Sequence, residues 1–245
     1  MLASLCSIVP VLFLAGGNDV LPHPAGYLVS KRVCDRDGAQ TAVAYEPREG
    51  DLIFYDDHSK IWTALFTLAG TGPPLHMGIV VRKKEGRLAV LEAGPDDTVW
   101  VELRDLVPRL HQFHNDFNGT ITIRRGKLAL NRFQSAGLTQ FAEAQNGKRY
   151  AVLRLLAQGT PLRSRGPLEP WLGKTSVERH SWICSEISVA GGTVAGLIDP
   201  AVVHSNVAYP RDLADNQRYD LSTSWEDAVL WRPTAPRCPL VSALR

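Results

Sequence analysis

The stretch HMGIVVRKKEGRLAVLEA, residues 76 to 93, constrains this chain more than any other. It is two apolar runs turning about Lys84-Glu85-Gly86. A three-residue loop with glycine third is a common hairpin connection, a type I turn closed by a left-handed residue. The two runs therefore pair antiparallel, and the loop length sets their register. Gly78 falls opposite Glu92 on one face, with His76 two residues further along that face. Such a diagonal pair lies about 7–8 Å apart at Cα, within reach of long side chains. Gly78 has no side chain, which gives Glu92 room to lean toward His76. A two-residue loop would carry Glu92 to the other face. Taken alone, His76 is either a core histidine with a satisfied hydrogen bond or half of a chemical pair. Glu92 is either a solvated strand-end carboxylate or its partner.

The rest of the chain builds around this hairpin. GDLIFYD reads as a buried strand after a turn, and GTITIRR alternates as another. Apolar residues at Ile61, Leu65 and Leu68 suit a short helix ending at Gly70. LNRFQSAGLTQFAEAQNG reads as a helix stopped by Gly147, and SWICSEISVAGG as a helix between Ser181 and Gly191. SWEDAVLWRP supplies a last strand. Before Pro47 the chain is polar and rich in turn residues. Strands cluster before helices rather than alternating with them, so the expected class is α+β with an antiparallel sheet.

Composition excludes several functions. The chain has 245 residues, 44% hydrophobic and 21% charged, with a net charge of +2. That is too little positive charge to imply a nucleic-acid partner. The Arg82-Lys83-Lys84 run falls at a hairpin tip, where a solvated turn accounts for it. No phosphate-cradling glycine loop is present. Leu2 to Ala15 is almost unbroken apolar sequence but too short for a stable membrane span, which needs about 20 residues. It matches the core of an export signal within residues 1–25, leaving 26–245 as one domain, secreted or periplasmic. It lacks a positive start and contains Pro10, so a mis-set start or a buried segment in a cytoplasmic protein is the alternative. The four cysteines, Cys6, Cys34, Cys184 and Cys238, have no metal-ligand spacing. After export, Cys34 and Cys238, near the two ends, could form a disulfide, which would leave Cys184 over.

Cys184 lies three residues after Ser181, a residue suited to capping the helix, which puts the cysteine in its first turn. There the unpaired N–H groups and the helix dipole favour a thiolate. A nearby neutral histidine can take the proton, and a carboxylate behind it holds the tautomer. An isolated cysteine is more commonly an inert buried residue. Among the other histidines, His111 and His114 are three apart, as in a helical metal pair, but lack a third ligand, so no metal is expected. His58 and His204 sit in polar stretches. His180 is the fallback base.

These residues together resemble the NlpC-type papain-like cysteine hydrolases. GDLIFY, then HMGIV, then VLEA is similar to that family's strand series. GKRY at 147–150 is similar to its lead into the nucleophile helix, CSE to the start of that helix, and YPRDLAD at 209–215 to the segment after it. Here His76 precedes Cys184 by 108 residues (184 − 76), the order of the circularly permuted, YiiX/YebB-like branch. The resemblance runs from about Gly50 to Asp215. It implies a permuted papain-like fold, with an antiparallel sheet packed against the helix that carries the nucleophile. Cys184 would be that nucleophile, His76 the general base, Glu92 its orienting partner and Tyr150 an oxyanion donor. The backbone N–H of Cys184 is a sensible second donor.

The implied activity is thiol hydrolysis of an amide with no cofactor or metal. Peptides, peptidoglycan stem peptides and N-acyl compounds are the substrate classes. The long basic connection between Tyr150 and Cys184, with Arg154, Arg163 and Arg165, departs from relatives and leaves the substrate open. Two alternatives stand beside this expectation. One is a lipid-directed acyltransferase or phospholipase of the lecithin-retinol acyltransferase-like branch, with Trp62, Leu65 and Phe66 lining an acyl pocket. That branch's Asn-Cys-Glu-His type motif is Ile183-Cys184-Ser185-Glu186 here. The other is a non-catalytic papain-like binding domain.

Overall fold

The structure, a computed structural model, describes residues 24–30, 42–94, 98–160, 163–165, 169 and 176–235. The apolar leader, expected to be an export signal, and the expected Cys34–Cys238 pair lie outside these residues.

Ten strands and six helices are described. The strands are β1 (Tyr27–Val29), β2 (Ala42–Ala44), β3 (Leu52–Asp56), β4 (His76–Arg82), β5 (Leu88–Ala93), β6 (Val101–Asp105), β7 (Thr120–Arg124), β8 (Arg149–Tyr150), β9 (Ser181–Trp182) and β10 (Val229–Arg232). The helices are α1 (Lys60–Leu68), α2 (Leu106–Asp116), α3 (Arg132–Gln145), α4 (Val152–Ala157), α5 (Cys184–Val194) and α6 (Pro210–Ala214). Eight strands form one antiparallel sheet in the order β2-β1-β10-β7-β3-β4-β5-β6. β8 and β9 make a separate parallel pair. The class is α+β with a large antiparallel sheet.

The central strands are covered on both faces, which is why β4 reads as a continuous apolar run. Side chains alternate between the two sides. Leu52, Phe54, Met77, Ile79 and Leu91 share one core with Leu138 and Phe141 of α3 and with Ile187 and Ala190 of α5. Ile53, Tyr55, Val80 and Val90 share another with Leu106, Leu110 and Phe113 of α2. The small residues of α5 let it lie close on β4. A Cβ on Gly191 would stand 3.4 Å from Ile79 Cγ2.

The GDL segment turns a corner into β3. Gly50 has φ +90°, which favours glycine. Asp51 is buried and accepts from Tyr45 Oη at 2.9 Å, Arg48 N–H at 3.0 Å and Gly126 N–H at 2.8 Å. Burial pushes its carboxyl upward, and those donors only partly offset the shift. This aspartate therefore ties three chain segments together at the base of the sheet, which is a structural task.

Candidate active site

The hairpin has the register that its loop requires. Lys83 N–H donates to Arg87 O at 2.9 Å and Gly86 N–H to Lys83 O at 2.8 Å, closing a three-residue loop with Gly86 at φ +92°. Gly78 stands opposite Glu92. His76 and Glu92 are both buried, and His76 Nε2 lies 3.1 Å from Glu92 Oε2. Glu92 therefore is no solvated carboxylate. Gly78 is what admits it: a Cβ there would fall 2.4 Å from Val90 Cγ1 and 3.3 Å from Glu92 Cβ. Gly78→Ala should accordingly destabilise the fold by about 1–3 kcal/mol, the usual range for overpacking. Urea unfolding measures it, and an unchanged midpoint would show that the hairpin has slack at this position.

Glu92 is held from behind by residues that motif reading passed over. Arg109 of α2 is itself buried, with Nε 2.7 Å from Glu92 Oε1 and Nη2 3.4 Å from Oε2. Arg104 of β6 places Nε 3.6 Å from Glu92 Oε1 and Nη2 2.7 Å from Glu102 Oε2. It stands between two glutamates that face each other across β5 and β6. Burial alone would raise the Glu92 carboxyl. The hydrogen bond with His76 and the charges of Arg109, His76 and Arg104 outweigh burial and hold it below its ordinary value. Glu92 is therefore an anion at neutral pH. Tyr55, opposite His76 on β3, stacks on the imidazole at 5.4 Å between centroids and 28° between planes. Arg109 sits 5.3 Å from the Tyr55 ring centroid. One guanidinium thus touches both groups that fix His76.

Cys184 is the first residue of α5, but Ser181 does not cap that helix. Ser181 and Trp182 are drawn into β9 by pairing with Arg149 and Tyr150, and Trp182 Nε1 donates to Gln145 Oε1 at 3.0 Å. The N-cap position is Ile183. Glu186 reaches back from the first turn and accepts from Ile183 N–H at 3.0 Å. Its other partners are Arg154 at 2.6 Å and Arg179 at 3.4 Å. Arg154 lies on α4 and also donates to Ser181 O. It braces the cysteine's helix.

His76 and Cys184 lie on opposite faces of the sheet. His76, Tyr55 and Glu92 share the α2 side with Phe113 and Arg109, whereas Cys184 belongs to the core on the α5 side. His76 is the first residue of β4, so the two sides meet at the strand's end. There a pocket lined by Tyr55, Trp62, Phe66, His76, Tyr150 and Leu155 wraps from one side to the other. Cys184 lines the adjoining pocket with Ile183, Glu186, Asn206 and Tyr209. Phe66 and Leu155 are walls of both. Tyr150 therefore joins His76 in one pocket, and Cys184, only 2% exposed, lies behind the shared apolar wall.

The remaining histidines stand apart from this cluster. His111 and His114 set their edges against Trp231, at 5.5 and 6.0 Å between centroids. Among the described residues no three His, Cys, Asp or Glu side chains gather as a metal site. His58 is exposed and pairs with Asp56 at 3.3 Å. His180 is exposed before β9.

No family model matches the chain, and no curated protein matches it. Among solved structures it is similar to the crystal structure of metalloprotein yiiX from Escherichia coli O157:H7. The identity is 18% and the TM-score 0.40, over 79% of this chain and 95% of that one.

Proposed function

We propose that this chain is a thiol hydrolase of the permuted, NlpC-type papain-like kind, cleaving an amide through an acyl-enzyme on Cys184. The observation that carries the reading is the buried His76–Glu92 hydrogen bond at 3.1 Å, at the strand end where the pocket of His76 adjoins that of Cys184. A histidine and an anionic glutamate held together away from solvent are costly to bury, and a base with a fixed tautomer is a use that explains the cost.

With Nε2 engaged by Glu92, Nδ1 is the ring nitrogen that takes the proton from Cys184 Sγ. The thiolate attacks the carbonyl carbon, and the carbonyl π electrons move to oxygen. The first-turn N–H of Cys184 and the Tyr150 hydroxyl are the donors for that oxyanion. The tetrahedral species collapses, the amine leaves with the proton from His76, and a thioester remains. Water, deprotonated by His76, then releases the acid and regenerates the thiol. Glu92 stays ionised throughout and stabilises the imidazolium.

The apolar pocket of Trp62, Phe66, Leu75, Phe113 and Leu155 around His76 favours an acyl chain over a charged peptide next to the scissile bond. The same chemistry on an ester or acyl-lipid is the second reading. Intact-mass spectrometry of the protein mixed with N-acyl anilides, dipeptide anilides and p-nitrophenyl esters tests both. A thioester adduct on wild type that Cys184→Ser lacks is the expected result, and the substrate that produces it separates the readings. Equal release of product by wild type and Cys184→Ser would eliminate the nucleophile.

A further inference from the structure

Two helices that wall the site are apolar on their outer sides as well. Phe66 of α1 and Leu155 of α4 face inward into both pockets. Ile61 and Leu68 of α1 and Val152, Leu153 and Leu156 of α4 face solvent. These are five of the twelve exposed large hydrophobics among the described residues, on helices of nine and six residues. Ile61 is 81% exposed and Leu153 83%. The helices adjoin. A Cβ on Gly159, just after α4, would lie 3.0 Å from Leu65 Cδ1, and Arg163 Nη1 donates to Leu68 O at 3.4 Å. Trp100, 43% exposed, bridges to Arg149 on the strand that leads into α4. Soluble surfaces carry scattered apolar residues, and concentration in one patch marks an interaction site.

The charged side chains of the two helices are all cationic. Neither helix contains a carboxylate. Arg154 is taken by Glu186, while Lys60 and Arg149 have no carboxylate partner among the described residues. Two carboxylates, Asp56 and Asp57, stand before α1; each accepts a backbone N–H, from His58 and Ser59, at 3.0 Å, and both keep their charge. Arg149 lies 5.8 Å from the Trp100 ring centroid, which pairs a cation with an amphipathic aromatic at the patch edge. No described helix is long and apolar enough to cross a membrane.

We propose that the α1–α4 face docks on an anionic lipid surface. Ile61, Leu68, Leu153 and Leu156 enter the boundary between headgroups and acyl chains. Lys60 and Arg149 meet lipid phosphates, and Trp100 sits at headgroup level. The helices lie on the bilayer and do not span it. This docking stands whether or not Cys184 is a nucleophile, because it rests on the outer faces of the helices.

Co-sedimentation of the full chain with vesicles tests it. Vesicles of equal phosphatidylglycerol and phosphatidylcholine should bind the protein. Binding should fall about fivefold or more on pure phosphatidylcholine, and similarly at about 0.5 M salt. Ile61→Asp with Leu153→Asp should weaken binding by about tenfold or more, since two carboxylates would have to enter the interface. Circular dichroism and the melting temperature should not change, because both residues are exposed. Lys60→Glu with Arg149→Glu should abolish the preference for phosphatidylglycerol. Absence of binding overturns the proposal, and so does binding that survives Ile61→Asp with Leu153→Asp, which would belong elsewhere, as in the apolar Leu2–Ala15 stretch. Self-association that the same double variant dissolves would assign the face to a second copy. A melting temperature several degrees lower would assign it to internal packing. Both results also overturn lipid docking. None of these readouts depends on turnover, so failure here and failure of the hydrolase reading are distinct.

Discussion

Replacing His76 by alanine should slow alkylation of Cys184 at pH 6 by about tenfold or more, with a much smaller effect above pH 9. The thiolate is the reactive species, and a thiol without a base forms it only as the pH nears the free-thiol value of about 8.5. If His76 takes the Cys184 proton, the wild-type protein reacts at low pH and the variant does not. Amide turnover should fall by a larger factor, about a hundredfold or more, because in the proposed reaction His76 both accepts the proton and returns it to the leaving amine. Burial of Cys184 slows the reagent in both proteins, so the ratio of rates at each pH is the quantity to compare. Iodoacetamide labelling followed by peptide mass spectrometry gives it directly. Superimposed pH profiles for the two proteins would show that His76 and Cys184 do not communicate, and the reading of the site as catalytic would fail.

The hairpin was legible in the sequence because its information is local. The loop length, a left-handed glycine and period-two alternation fix which residues are opposed, and the register Gly78↔Glu92 follows. The antiparallel α+β class was legible for a similar reason, from the order of strongly apolar segments. What surrounds Glu92 was not. Arg109 sits in LVPRLHQFHND, a helix whose Pro108 and paired histidines obscure the apolar stripe of Leu106, Leu110 and Phe113. The arginine is meaningful only once α2 is known to cross the back of β5. One signal was present: an arginine flanked by apolar residues at helical spacing is expected to find a buried anion. The cap of α5 was misassigned because the sequence pattern offers a serine where an N-cap is expected. Nothing local says that Ser181 and Trp182 would pair with residues 32 positions earlier (181 − 149), at Arg149 and Tyr150. β1 and β2 were hidden because each is three residues long, too short for any periodicity. That His76 and Cys184 lie on opposite sides of the sheet is a property of strand parity and helix packing together, and no motif encodes it.

Replacing Arg109 by methionine should cost about 3–5 kcal/mol of stability at pH 7, the usual consequence of leaving a buried charge without its partner. Glu92 would then rely on His76 and the more distant Arg104 at 3.6 Å. In the wild-type protein the Glu92 carboxyl is held below its ordinary value. The ionised carboxylate therefore contributes stability above the ordinary carboxyl range, and that contribution is lost as the pH falls through the depressed folded value. Without Arg109 the balance tilts toward burial, and the folded carboxyl moves upward. The variant's deficit should then be largest at neutral pH and shrink toward pH 4, because protonating Glu92 removes the unpaired charge. Urea unfolding of both proteins at pH 7 and pH 4 measures this difference. Adding Glu92→Gln to Arg109→Met should recover part of the loss at pH 7, since the anion is then absent. An equal deficit at both pH values, with no recovery in the double variant, would mean that Arg109 acts through its packing on Tyr55 and Phe113. In that case the His76–Glu92 pair would need no cation behind it, and turnover in Arg109→Met would match that of wild type per folded molecule.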